Sequence, residues 1–150
     1  MTTGDRLKLL ALDREGLDVI SAHAQNTCVR RGDMVWLNKQ RRFVVAGMRY
    51  DWVKAKAGPQ ERVASVLRFD RVLKVARLGL ADVDKEAALN LLGVAFHNTD
   101  PPAGMIILAF ADGGLVRLEV ECVEVELNDI GPRRPATACA GHALTDAAAF

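Results

Sequence analysis

The chain of 150 residues has few cysteines, no long apolar run and almost no net charge, and each shortage excludes something. Cys28, Cys122 and Cys139 are odd in number and widely spaced, so neither a disulfide framework nor a CxxC metal knuckle is available. Reduced, buried thiols are expected, which fits a cytoplasmic address. Nowhere do eighteen apolar residues follow one another, and Met1 to Lys8 lacks the charged start and apolar run of a secretory signal, so a soluble chain without membrane association is expected. The formal charge of +1 supplies no global pull toward nucleic acid or anionic lipid. Phosphate-loop, dinucleotide and nucleophile-elbow motifs are missing too, which weakens an enzyme reading without excluding it.

With 50% of its residues apolar, the chain can bury one real core and is too short to favour two domains. From Asp13 to about Arg30, Leu17, Ile20, Ala24 and Cys28 recur at helical steps, with Asp13 as N-cap and Gly32 as terminator. After Gly32 the period becomes two. Met34 to Leu37 and Arg42 to Val53 form a hairpin across Asn38-Lys39-Gln40, with Val44, Ala46, Met48, Tyr50 and Trp52 on one face. Arg62 to Leu78 alternates with Val63, Leu67, Phe69, Leu73 and Val75 on one side, and Asp70-Arg71 marks a bulge or turn. Leu89 to Phe96 and Met105 to Phe110 read as central strands, and Asp112-Gly113-Gly114 as a hairpin turn into a strand from Leu115. Beyond Glu121 two readings stand, a bulged strand or a helix over Val123, Leu127 and Ile130. The expectation is one globular domain over residues 1–131 and a flexible tail over 132–150.

The near-zero total conceals a division. Residues 1–80 hold 16 Lys and Arg against 8 Asp and Glu, a balance of +8, and residues 81–150 hold 4 against 11, a balance of −7. Arg41, Arg42, Arg49 and Lys54 lie on or beside the first hairpin together with Tyr50 and Trp52, and these six are the candidate binding face. A basic, aromatic-bearing β-surface suits single-stranded nucleic acid, where cations take phosphates and rings stack on bases. The plainer reading sets basic strand 62–77 beside acidic strand 117–126 as cross-strand pairs such as Arg68 and Lys74 against Glu119 and Glu121. A third reading is assembly, as a homodimer or with an acidic protein partner. His97 with Asp100 is the one arrangement that could serve as an oriented base, although a surface histidine at a strand end is commoner. Glu121 and Glu124 would disfavour a thiolate at Cys122, and Asp82-Val83-Asp84 has too few ligands at fixed spacing for calcium. No catalytic, metal-binding or cofactor-binding residue is assigned.

The segments 7–13 (Leu-Lys-Leu-Leu-Ala-Leu-Asp), Gly32-Asp33-Met34, Arg41-Arg42-Phe43, 67–72 (Leu-Arg-Phe-Asp-Arg-Val) and 117–122 (Arg-Leu-Glu-Val-Glu-Cys) resemble an uncharacterised bacterial family catalogued as domain of unknown function 2948. The resemblance covers roughly residues 6 to 132 and implies a bacterial, stand-alone cytoplasmic protein. It brings no catalytic residues. The expected architecture is α+β, an N-terminal helix packed on a predominantly antiparallel sheet that curls into a barrel or folds into two layers, a pleckstrin-homology-like sandwich being one specific version. The expected function is a non-catalytic binding or assembly module using the basic hairpin. A single-stranded nucleic-acid binder and an enzyme of unknown chemistry are the alternatives.

Overall fold

Asp13 starts the helix α1, Arg14–Ala24, by accepting a 2.7 Å hydrogen bond from the Gly16 backbone N–H. Eleven residues are too few for a stable isolated helix, so burial must hold it. Leu17 and Ile20 are fully buried in the main core cluster, and together contribute about 3–6 kcal/mol. The helix ends earlier than its apolar spacing predicts. Asn26 adopts a left-handed φ of 71°, which Asn tolerates, and Thr27–Arg30 continues as a strand that carries Cys28.

The computed structural model describes residues 6–137 and residue 139. Its strands are β1 (Lys8–Ala11), β2 (Thr27–Arg30), β3 (Met34–Leu37), β4 (Arg42–Tyr50), β5 (Glu61–Phe69), β6 (Val72–Leu78), β7 (Ala88–Asn98), β8 (Gly104–Phe110), β9 (Leu115–Val120) and β10 (Val125–Pro135). All pair antiparallel in the order β1-β10-β5-β4-β2-β7-β8-β9-β6, with β3 added to β4. β5 and β6 stand six places apart in that order, yet only Asp70 and Arg71 join them. Six steps across a flat sheet would be about 29 Å, whereas the three peptide links from Phe69 to Val72 reach at most about 11 Å. The sheet therefore curls until its distant strands meet. Backbone bonds from Val72 N–H to the Arg41 carbonyl, Asp70 N–H to Glu124 and Glu121 N–H to Arg71, at 2.9–3.0 Å, stitch that corner. No ladder completes the circuit among the described residues, so β1 and β6 remain edges and the barrel is not closed.

The corner explains several departures from the two-residue rhythm. Val63, Leu67 and Phe69 are buried as expected, but the turn, with Arg71 at φ 61°, resets the phase so that Val72 is buried and Leu73 exposed. Residues 121–124 form neither a bulge within one strand nor a helix. They carry the chain from β9 to β10, where Val125, Leu127 and Asp129 face inward. On β4 the inward parity is Phe43, Val45 and Arg49, opposite to the face drawn from the aromatic pattern. β4 also stops at Tyr50, and Trp52–Ala55 forms the one-turn helix α2 with Asp51 as its cap.

β7 outruns its neighbour β2 beyond Leu91. There the Val94 N–H donates to Ser21 Oγ of α1 at 2.9 Å, so the helix covers an otherwise unpaired strand edge. Among the described residues no helix is long and apolar enough to cross a membrane.

Two sequence expectations about the C-terminal part change. β10 runs to Pro135, past residue 131, because Pro132 falls in the register break between Asp129 and Arg133, where no ladder donor is needed. Cys28 and Cys139 form a disulfide, with Cα atoms 5.3 Å apart, and only Cys122 is free. The pairing corrects the expectation of three reduced thiols, and with it the inference from thiols to a cytoplasmic address. Arg62 supports the same segment, donating to the carbonyls of Thr137, Asn26 and Met48. The remainder of the expected flexible tail, residue 138 and residues 140–150, lies outside the described residues.

Candidate functional site

Strand alternation places charge in the core at one point. The inward positions of β4 lead to Arg49, those of β5 pass through Ser65, and those of β10 lead to Asp129. Because β5 lies between the other two, with Gly47 opposite Ser65 and Ser65 opposite Asp129, the three side chains meet. Arg49 grips the carboxylate with two bonds, Nε to Oδ1 at 2.9 Å and Nη2 to Oδ2 at 2.7 Å. Ser65 Oγ adds a 2.6 Å bond to Oδ1 and the Leu7 N–H a 2.9 Å bond to Oδ2. Burial pushes the Asp129 carboxyl up, but these donors outweigh it and hold the group below the usual carboxylate range. Both side chains are essentially inaccessible, at 2% and 0% exposure.

Above this pair opens a cavity of about 360 Å³ lined by Arg6 and Leu7, His23 of α1, Arg49, Asp51, and Val53 and Lys54 of α2. One Asp51 oxygen accepts the Lys54 backbone N–H and the other accepts Arg133 Nη1, both at 2.9 Å. Burial pushes the Asp51 carboxyl up, and its hydrogen bonds, with the nearby Arg49 charge, bring it below its ordinary value. Lys54 Nζ pairs with Glu61 at 3.0 Å. Burial and the Arg49 charge lower the His23 pKa, against the opposing pull of Asp51 and Asp129, so the imidazole is neutral at pH 7. A second concavity of about 230 Å³ shares Arg6 and Lys54 with the first and is walled by Gly131, Pro132 and Arg133.

The six residues of the expected basic face do not form one surface. Arg41 and Arg42 sit at the start of β4, about 30 Å of strand from Tyr50 at its end. Arg42 pairs with Asp70 at 2.7 Å, in a polar hollow shared with Arg41, Arg68, Arg71 and Glu124. Arg49 is buried and points the other way. Tyr50 and Trp52 do stand together, edge to face with centroids 4.6 Å apart, but the Trp52 indole N–H donates to the Gln25 carbonyl and Arg62 lies over the Tyr50 ring. These rings tie α2 to the end of α1. Lys54 alone of the six has both a cavity position and partial exposure.

The charge division is largely resolved inside the chain. Arg30 pairs with Glu86, Arg49 with Asp129, Arg68 with Glu126 and Arg71 with Glu124, each joining the basic half to the acidic half. β6 does lie beside β9, with Lys74 opposite Glu119, while Arg68 faces Glu126 across β5 and β10. His97 is exposed on β7 opposite Met105, and no hydrogen bond or ion pair joins it to Asp100 among the described residues. Asp129, Ser65, Asp51 and His23, which build the cavity and its floor, escaped the sequence reading. The available signal was a charged residue on the buried parity of each of two strands.

The arrangement defines a class of protein, a curled, open, antiparallel sheet with a polar cavity over a buried ion pair. The chain belongs to the family described as Protein of unknown function (DUF2948), which matches residues 7–142. No curated protein matches it, and no solved structure does.

Proposed function

We propose that the protein is a single-domain, non-catalytic module that binds a small ligand in the cavity above Arg49 and Asp129. The observation that carries this reading is the cavity itself. Its volume of about 360 Å³ is in the range of small-molecule sites, and three separate stretches of chain converge on it over an ion-paired floor. Binding is favoured over catalysis by how its polar groups are engaged. Asp51 and Asp129 are both saturated by donors and held below the usual range, which makes them poor bases at neutral pH. Among the described residues, no carboxylate hydrogen-bonds to His23 to orient it, and no serine or cysteine lines the wall. On this reading Tyr50 and Trp52 brace the rim, Lys54 faces the ligand, and Arg41 and Arg42 play no part. The helix lies between β1 and β2 rather than at a chain end, so the proposal rests on the cavity and not on likeness to a pleckstrin-homology-like sandwich.

Screening a fragment library by thermal shift against the wild type and Val53→Trp tests the reading. Val53 is 64% exposed at the cavity wall, so an indole there fills the space without entering the core. Hits on the wild type that disappear in V53W are expected. Hits that survive the substitution, or no hits at all, would overturn the assignment.

A further inference from the structure

Among the described residues, the cations and anions around the cavity pair off with one cation over. Arg49 is matched by Asp129, Arg133 by Asp51 and Lys54 by Glu61, each through a contact of 2.7–3.0 Å. Arg6 also lines both concavities, and no ion pair engages it among the described residues. Its guanidinium lies over the backbone of Gly131, close enough that a Cβ there would stand 2.8 Å from Nη2. Glycine at 131, with φ 69°, both permits that approach and makes the turn that allows it. The guanidinium is thus seated at the junction of the two concavities. His23 adds no charge at pH 7, while Leu7 and Val53 supply apolar wall.

Resting on the cavity reading, we propose that the site selects an organic monoanion with a short apolar body, and that Arg6 reads its charge. One surplus cation neutralises one negative charge, so a second charge on the ligand would lie unmatched against Asp51. A neutral amide still offers Arg6 a carbonyl acceptor but no counter-charge, and the lost ion pairing is worth about tenfold in affinity.

Isothermal titration of the full chain at pH 7 with hexanoate, hexanamide and glutarate, on wild type and Arg6→Gln, tests this. Hexanoate is expected to bind roughly tenfold more tightly than hexanamide, glutarate no better than hexanoate, and R6Q to bring the hexanoate-to-hexanamide affinity ratio down to about one. Arg6 is exposed, so the melting temperature of R6Q should match the wild type and show that the fold is intact. Equal affinity for hexanoate and hexanamide would overturn the charge selection and leave the cavity reading standing. Tighter binding of glutarate would overturn the single-cation count. No binding of either six-carbon probe would overturn the cavity reading and this inference with it.

Discussion

Replacing Asp129 by Asn removes one charge and almost no volume, yet the consequence should be large. Asp129 receives four donors on two oxygens, Arg49 Nε and Ser65 Oγ on one, Arg49 Nη2 and the Leu7 N–H on the other. Whichever oxygen becomes the amide nitrogen, one Arg49 N–H loses its acceptor. If it is Oδ1, Ser65 can turn to the Val63 carbonyl, already 3.1 Å away, but if it is Oδ2, the Leu7 N–H has no such freedom. Beyond the lost bonds, an Arg49 side chain only 2% exposed keeps its charge with no counter-charge. Breaking a buried ion pair from one side costs about 3–5 kcal/mol. With a urea slope of about 2 kcal/mol/M for a domain of this size, the unfolding midpoint, followed by the fluorescence of Trp36 and Trp52, should fall by roughly 2 M. The double replacement Arg49→Met/Asp129→Leu removes both charges and should recover most of that loss. A D129N midpoint within about 0.3 M of wild type would refute the reasoning, because a buried guanidinium cannot lose its counter-charge at no cost.

Further predictions concern acid, the disulfide, one glycine and nucleic acid. The Asp51 and Asp129 carboxyls lie below their unfolded values, so the stability they contribute is present above about pH 4 and lost as pH falls through the folded values; unfolding free energy measured from pH 7 to pH 3 should decline, and less steeply in D129N. Alkylation in denaturant without reductant should label one thiol, Cys122, by intact mass, and reduction should destabilise by about 4–5 kcal/mol because the Cys28–Cys139 bond spans 111 residues; three labelled thiols would contradict the pairing. A Cβ at Gly47 would stand 2.7 Å from the Cys28 carbonyl oxygen, so Gly47→Ala should cost about 1–3 kcal/mol in urea unfolding, and an unchanged midpoint would contradict the close crossing of β2 over β4. Single-stranded RNA should show no saturable binding at low salt by fluorescence anisotropy, with or without Arg41→Glu/Arg42→Glu, since Arg42 and its neighbours already have acidic partners.

The strand rhythm made most of the sheet legible. The hairpin at residues 34–50, the central pair β7 and β8, and the Asp112-Gly113 turn, with φ of 73° and 90°, follow from alternation and turn chemistry within a few residues. Four-residue β1 carries too short a pattern to register, and Asn26 ends α1 without glycine or proline to announce it. The site was less legible because its contacts are distant in sequence. Arg49 and Asp129 are 80 residues apart, and Leu7 and Asp129 are 122 apart. Periodicity could place each on an inward parity but not bring them together, and the aromatic pattern of β4 drew the eye to the opposite face. The charge division was correctly seen, and its resolution into ion pairs depended on the long-range pairing that sets β5 beside β10.

Mapping backbone amide shifts by NMR as hexanoate is titrated into the full chain tests the cavity assignment most directly. The account predicts that saturable changes concentrate at Leu7, His23, Val53 and Lys54. Changes centred instead on Gln40, Arg41 and Arg42, or none at any concentration, would contradict it.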